Sequence, residues 1–353
     1  MGVIEACFRL ETPALAGEAD PRRGASIRVP GLLGAMRRVF WLLAPTAVAC
    51  RGENDRFEEQ RAQKVIGELL GAAASEAHGR QGAQGQFLFS LPSGDPAGQF
   101  DAIDSVLSQL AGPILRQRRP GSSGGNNAAF HHVPAGATFR LRLRQRSGDD
   151  QGDQHQQQML DLLKAFGLIG GVGAATRRGF GSLTMTELTV GGESQTLPGN
   201  AEAYEAACLA LVEKDAAFKD TEPQYSGLWS GNGVHAAIYV RHDVNRANAA
   251  VSALANDVIS YARGWQKYSP DTVFSHQADH DWKLSLSAPP NAKRAPSPVL
   301  FHVREHQDHT STVTSILAPI GSSSKDDALT ERALDFLHDG AFGFRQLWPE
   351  EGA

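Results

Sequence analysis

Two segments of the chain alternate between apolar and polar residues, and this pattern predicts β-strands with one buried face. The first is Ile4–Leu10, and the second is Thr138–Arg146, in which Phe139, Leu141 and Leu143 point to one side. The opposite side of the second strand carries four arginines, Arg140, Arg142, Arg144 and Arg146. Such a row of charge is typical either of a surface for RNA or a protein subunit, or of an edge strand protected by charge.

A helical period marks the segment that begins at Pro30. Proline is favoured in the first turn of a helix, because the N–H that it lacks would have no partner there. One face of this helix is apolar, and the opposite face carries Gly34, Arg37, Arg38 and Trp41. Two arginines and a tryptophan can hold phosphates and stack a base. The same pattern also fits a solvated helix whose tryptophan packs on a neighbour.

The remaining hydrophobic patterns indicate an α+β fold. Further strands are predicted at Phe87–Leu91, Ser182–Val190, Val234–Arg241, Val299–Val303 and Thr310–Ala318. Further helices are predicted within Arg51–Gly71, around Met159–Phe166, and at Phe100–Ala111, Ala201–Phe218, Asn245–Tyr268 and Asp326–His338. The segment Gly191–Asn200 has the composition of a linker, so we expect two domains, residues 1–195 and 196–353.

The chain of 353 residues has a formal net charge of −5, which excludes a generally basic nucleic-acid binder. Any RNA surface must therefore be local. Three cysteines, far apart and without metal-ligand spacing, indicate reduced, buried thiols of a cytoplasmic protein. Arg37, Arg38 and Pro45 interrupt the apolar run from Val29 to Cys50, so we expect no membrane span, and no signal peptide is expected either.

The segment Gly170–Gly181 holds five glycines and the adjacent pair Arg177 and Arg178. Glycine lets backbone amides approach an anion, and arginine supplies forked donors for phosphate. A Walker loop would need a lysine followed by serine or threonine, and a dinucleotide loop would need glycine at Thr176. Both of those loops run from strand to helix, whereas this one runs from helix to strand. The sequence therefore argues against a mononucleotide or NAD site.

Residues that could carry out catalysis or bind a metal are scattered. The spacing of His302, His306 and His309 resembles that of metal ligands, but no cysteine or other zinc motif supports it, so we expect no metal and no cofactor. Candidates for general acid–base cleavage of RNA are His78, His131, His132 and Asp20. Their spacing assembles no set of nucleophile, base and orienting residue.

Three stretches together resemble a known family. Gly170–Gly181 followed by a strand resembles the glycine-rich loop of the RAMP superfamily, the RNA-binding subunits of CRISPR effector complexes. Thr12-Pro13, Gly17–Pro21 and Ile27–Trp41 are similar, in that order, to the opening of the subunit-one family of type III-B (Cmr) complexes. A weaker echo is Arg294–Val303.

The resemblance implies two ferredoxin-like (RRM-like, RAMP) domains with helical and loop insertions, the first of which holds the loop at 170–181. It further implies a non-catalytic, cytoplasmic subunit of a type III-B complex, with no cofactor and no membrane contact. Its partners would be guide RNA, target RNA and other RAMP subunits at one end of the complex. Two alternatives stay open: a metal-independent RAMP endoribonuclease that processes guide-RNA precursors, and a scaffold subunit that binds only protein. The predicted RNA-binding residues are Arg28, Arg37, Arg38, Trp41, Gly171, Gly173, Arg177, Arg178, Arg142 and Arg144.

Overall fold

The computed structural model describes residues 3–16, 25–44, 50, 58–71, 84–92, 99–102, 107, 129–146, 151–174, 176, 178–212, 237–243, 245–264, 299–317 and 333–348. Its elements in chain order are β1 (Val3–Leu10), α1 (Val29–Leu43), α2 (Glu59–Leu70), β2 (Phe87–Ser90), β3 (Gln99–Ala102), β4 (Ala129–His132), β5 (Thr138–Gln145), α3 (Gly152–Ile169), β6 (Leu183–Val190), β7 (Glu193–Ser194), α4 (Ala201–Val212), β8 (Ala237–Asp243), α5 (Ala247–Gly264), β9 (Val299–Glu305), β10 (Ser311–Leu317) and β11 (Arg345–Trp348). Residues 333–338 are also helical, and Gly340–Phe342 form a 3-10 turn.

The first half of the chain builds a five-stranded antiparallel sheet in the order β2-β5-β1-β6-β7. β1 pairs with β5 on one side and with β6 on the other. Helices connect β1 to β2 and β5 to β6, so both connections cross over a neighbouring strand. This order of strands and crossovers is that of a ferredoxin-like fold, as the resemblance implied.

One face of this sheet is covered by helices. Every second residue of β1, from Ile4 to Leu10, is buried, and the apolar side chains of β5 lie on the same face. Phe8 stacks on Phe139 with ring centroids 5.4 Å apart, and Phe166 of α3 meets Phe8 edge-on at 5.5 Å. Such pairs contribute roughly 0.5–1.5 kcal/mol each beyond area burial. Both predicted alternations, and the helix with Pro30 in its first turn, are confirmed.

The second half repeats the arrangement. β8, β9, β10 and β11 form a four-stranded antiparallel sheet in the order β11-β8-β10-β9. α5 follows β8, and the helical residues 333–338 precede β11, so the crossovers match those of the first sheet. The fold is thus α+β with two ferredoxin-like units, as predicted.

Both faces of the second sheet are covered, which explains why β10 is buried along its whole length. One face packs on α5, where Tyr239 and Val313 join a core with Leu254. On the other face, Ile238 and Ile316 pack in a core that is continuous with that of the first sheet. α4 contacts α3 of the first half and β11 of the second. The division at residue 195 stays a prediction, because the two units share this core.

The structure corrects three sequence predictions, and it adds three short strands that were not predicted, β4, β7 and β11. Phe100–Ala102 belong to β3, which pairs with β4, although Phe100–Ala111 were predicted to be helical. β5 lies between β2 and β1, so its arginines do not protect an edge strand. Cys7 is only half-buried, whereas Cys50 and Cys208 are buried free thiols, and burial raises the pKa of both to about 12. In the described part of the chain, no helix is long and apolar enough to cross a membrane.

Candidate nucleic-acid interface

The two motifs that carried the family resemblance lie side by side. Residues 12–16 follow β1, and their backbone pairs with the glycine-rich loop that joins α3 to β6. The Gly181 amide donates to the Pro13 carbonyl at 2.9 Å, and the Ala174 amide donates to the Leu15 carbonyl at 3.0 Å. Segments more than 150 residues apart in the sequence therefore pack against each other through their backbones.

A buried threonine fixes the loop to the segment after β1. Thr12 Oγ1 donates to the Gly179 carbonyl at 2.6 Å and accepts from the Ser182 amide at 3.0 Å. The Ser182 hydroxyl also donates to the Gly179 carbonyl, at 2.9 Å. Buried backbone groups need such partners. The hydroxyl of Thr12 therefore holds the two ends of the Gly179–Ser182 turn.

Two glycines in the loop are required by its backbone. Gly173 has φ +87°, and a Cβ there would lie 2.8 Å from the Leu15 carbonyl carbon. Gly181 has φ +63°, and a Cβ there would lie 2.0 Å from the Val172 carbonyl oxygen. Any larger residue would be strained and would clash with backbone. The glycines thus allow protein backbone to approach protein backbone.

In this geometry, several backbone amides of the loop donate to protein carbonyls, although they were expected to face an anion. The amides of Val172, Ala174 and Gly181 donate to carbonyls of Gly181, Leu15 and Pro13. The prediction that loop amides face an anion is therefore wrong for these three groups. RNA contacts by Gly171 and Gly173 stay a prediction, and phosphate binding at the loop would fall mainly to its arginines.

The loop also joins the two halves of the molecule. Phe180 is 1 % exposed and packs in the core of the second sheet with Val251 and Phe301. The half-buried Arg178 forms a parallel bridge with Phe301 of β9. Arg178 is therefore placed at the junction of the two units. Arg177 lies outside the described residues.

The structure separates the predicted residues of α1 by their surroundings. Arg28 precedes the helix and is exposed, and Arg38 is exposed on its outer face. Arg37 donates from Nη2 to the carbonyls of Leu70 and Gly71, both at 2.8 Å, and so caps the C-terminus of α2. Trp41 is half-buried and meets Phe40 edge-on at 5.8 Å. These contacts give Arg37 and Trp41 structural roles, and RNA contact by any of the four residues stays a prediction.

The open face of the first sheet carries the arginine row of β5. Arg142 Nε lies 2.5 Å from Glu5 Oε1, and Arg140 lies 3.7 Å from Glu5 and 3.5 Å from Glu187. Cys7 lies between them and accepts a hydrogen bond from Arg140 Nε at 3.2 Å. Arg144 is exposed and has no carboxylate partner within the described ranges. The face is thus a mixed charged surface with positive charge concentrated at Arg144.

The late histidines do not converge. His302 is buried and bonds through Nε2 to the Leu183 carbonyl at 3.0 Å, and burial lowers its pKa to about 4. His306 Nε2 lies 2.8 Å from Thr312 Oγ1, and burial lowers its pKa to about 4 as well. His309 lies on the surface beside Glu305. Among the residues with described positions, no group of three or more potential metal ligands occurs. His132 is buried, whereas Asp20, His78 and the side chain of His131 lie outside the described set.

Sequence reasoning missed a buried polar cluster between the halves. Tyr204 of α4 is fully buried, and its hydroxyl contacts the Leu168 carbonyl at 2.9 Å and Thr314 Oγ1 at 2.8 Å. The guanidinium carbon of Arg304, on β9, lies 5.0 Å from the centre of the Tyr204 ring. Burial raises the pKa of Tyr204 and lowers that of Arg304. The sequence carried no signal for this pair, because it forms only when α4 and β9 pack together.

Comparison with known proteins agrees with this geometry. The family model described as the RAMP superfamily matches residues 7–184, which include β1, the segment after it and the glycine-rich loop. No curated protein matches the sequence. A crystal structure of Cmr1 from Pyrococcus furiosus, in the apo form, is 15 % identical, with a TM-score of 0.58 over 99 % of both chains.

Two cryo-EM chains share the fold as well. Both come from type III-B Cmr-beta bound to cognate target RNA, the second also with AMPPnP in the presence of ssDNA. Each is 10 % identical and covers 95 % of this chain, with TM-scores of 0.57 and 0.58 over 99 % and 98 % of the other chains. At these identities the likeness establishes the fold, while the family match covers half of the sequence. The chain belongs to the RAMP superfamily.

Proposed function

We propose that this chain is a non-catalytic, RNA-binding subunit of a type III-B CRISPR interference complex. It contacts guide RNA, target RNA or both at one end of that complex, beside other RAMP subunits. The observation that carries the proposal is the meeting of the glycine-rich loop with the segment after β1. Both motifs resemble the same family, and they present Arg178 where the two units join.

The chemistry expected at this surface is phosphate binding by arginine. A guanidinium offers paired donors to phosphate oxygens, and Arg177 and Arg178 stand next to each other in the sequence. Because the chain as a whole is acidic, with a net charge of −5, RNA must be attracted by a local patch. Arg28, which precedes α1, and Arg38 on α1 would extend that patch.

Likeness of fold also supports the proposal. The Cmr-beta assembly that contains a chain of this fold is bound to cognate target RNA. The shared fold extends over nearly the full length of both chains. A subunit role in a complex of this type therefore accounts for both units of the fold rather than for the loop alone.

Filter binding of the full-length protein to single-stranded RNA at several salt concentrations tests the proposal. Arg177→Glu with Arg178→Glu should sharply weaken binding, and losing two phosphate contacts should lower the salt slope by roughly 1.4, at about 0.7 per contact. Arg61→Glu with Lys64→Glu on the exposed surface of α2 is the matched control, because it changes the net charge equally. Unchanged affinity and unchanged slope in the loop variant would overturn the RNA site.

A further inference from the structure

A cavity of about 330 Å³ lies between α3, β6, α4 and β9. This volume is near the lower end of the range, about 300–1,000 Å³, that is usual for small-molecule sites. The cavity has two positively charged side chains in its wall and no acidic one. The lining residues are Lys164, Gly167, Leu168, Met185, Thr196, Leu197, Pro198, Ala203, Ala207 and Arg304.

Arg304 is the unusual member of this wall. It is 4 % exposed, and in the part of the chain that the structure describes it forms no ion pair; the buried Glu11 interacts with it only at longer range, because that carboxylate is paired with Arg9. Nη2 donates to the Pro198 carbonyl at 2.6 Å, and the Tyr204 ring stacks beneath the guanidinium. Nε is buried and has no acceptor. A buried cation is costly unless an anion or several acceptors compensate it, so the wall of the cavity lacks a negative or acceptor-rich group.

Lys164 on α3 adds a second positive charge to the same cavity. It is half-buried and likewise has no carboxylate partner among the residues that the structure describes. The rest of the wall is largely apolar, because Leu168, Met185 and Leu197 line it and α4 contributes only the small side chains of Ala203 and Ala207. The cavity therefore suits a flat or apolar body that carries an anionic group.

The cavity adjoins the glycine-rich loop. Leu168 lies two residues before Gly170, where the loop begins. Arg304 follows Val303, whose amide donates to Ser182 Oγ at the end of the loop, at 3.1 Å. A strand of RNA held by the loop could thus place a neighbouring nucleotide at the cavity.

We propose that this cavity binds one nucleotide of the RNA, turned out of the strand. Its base packs on the apolar wall, and its phosphate and base acceptors meet Lys164 and Arg304. Single-stranded RNA is often recognised through such splayed-out bases. The proposal rests on the proposed function for the class of ligand, whereas the need for an anion comes from the cavity itself.

Calorimetric titration of the full-length protein with the four 5′-mononucleotides tests the assignment. The corresponding nucleosides, ribose 5-phosphate and inorganic phosphate separate the base from the anion. At least one mononucleotide should bind at least tenfold more tightly than its nucleoside and than phosphate alone. Binding should raise the melting temperature of the protein, because the ligand binds only the folded state.

Variants then locate the binding. Arg304→Met keeps the length of the side chain and removes the charge, and it should weaken mononucleotide binding at least tenfold. Lys164→Gln should weaken it several-fold, with Lys64→Gln on α2 as the matched control. Ala207→Leu should fill the cavity and abolish binding, whereas Ala206→Leu, exposed on the same helix, should not. The lysine and alanine variants decide the question if Arg304→Met does not fold.

Two results would overturn the assignment. One is the absence of binding by all four mononucleotides, or binding that these variants leave unchanged. The other is preferential binding of N-acetyl amino acids, which would assign the cavity to a carboxylate of a protein partner. Either result leaves the loop site to be judged separately by filter binding, so failure of the cavity and failure of the proposed function are distinguishable.

Discussion

Thr12 donates its hydroxyl hydrogen to the Gly179 carbonyl at 2.6 Å, across 167 residues of sequence. Thr12→Val keeps the shape of the side chain but removes this bond and the acceptor for the Ser182 amide. Leaving a buried polar group without a partner costs about 1–3 kcal/mol, and we expect the free energy of unfolding to fall by that amount in urea titrations. Thr12→Ser keeps the hydroxyl and should lose less. Equal losses in the two variants would show that the hydroxyl does not hold the loop.

Gly181 and Gly191 allow a comparison of strain with and without a clash. Both have a left-handed backbone, with φ +63° and +60°, but only at Gly181 would a Cβ strike backbone. Gly191→Ala should cost about 1–2 kcal/mol from its backbone conformation alone. Gly181→Ala must also move the Val172 carbonyl, so we expect a loss above about 4 kcal/mol. Similar losses on thermal unfolding would contradict the packing described for the loop.

The open face of the first sheet gives a charge test of RNA contact. Glu5→Gln releases Arg142 from its carboxylate partner, so it should raise RNA affinity if this face binds RNA. Arg142→Ala with Arg144→Ala should weaken binding and lower the salt slope by roughly 1.4. Filter binding measures both effects. If the two variants change subunit assembly but leave RNA affinity unaltered, the face belongs to a protein interface.

Burial of His302 makes the stability of the fold depend on pH. Its pKa is lowered from 6.5 to about 4 in the folded protein, so the unfolded chain binds the proton more readily. The neutral, buried imidazole therefore leaves the free energy of unfolding unchanged above pH 6.5. As the pH falls from 6.5 toward 4, the free energy of unfolding decreases by about 3 kcal/mol. His302→Gln should reduce the slope of unfolding free energy against pH in this interval. An identical slope in the variant would show that His302 does not titrate on unfolding.

The protein should not cleave RNA on its own. His132 and His302 are buried, and His302 is held by a backbone carbonyl, so neither is placed as a general acid or base. Repeat RNA incubated with the purified protein without metal should stay intact on denaturing gels. Specific cleavage that His131→Ala or His78→Ala abolishes would support the endoribonuclease alternative instead.

Local pattern was enough to predict the elements that bury one face. β1, β5 and α1 were predicted from alternation, from helical period and from Pro30, because burial of one face dictates those patterns. β3 and β11 have only four residues each and lack the apolar run that allowed the equally short β2 to be predicted. β3 also depends on its pairing with β4, about thirty residues later, which no local pattern reports.

The place of the glycine-rich loop in the fold was predictable, but its hydrogen bonding was not. Glycine density and Arg177-Arg178 singled out the loop as a candidate site, and the family resemblance placed it with the segment containing Thr12; RNA binding at the loop stays a prediction. The use of the loop amides depends on Pro13 and Leu15, which approach only in the folded chain. Arg304 and Tyr204 look like ordinary residues of a strand and a helix until two distant elements bury them.

Phe180 makes the folding of the glycine-rich loop depend on elements that come later in the chain. Its ring packs among α5 and β9, which the ribosome makes after the first sheet and its loop have emerged. Until those elements exist, the ring lacks most of its apolar surroundings, and Arg178 has no neighbouring β9. Since domains fold during translation from the N-terminus, we expect the first sheet to form early and the loop to become ordered late. If the loop binds RNA as proposed, nascent chains should acquire that affinity only after the second sheet has folded.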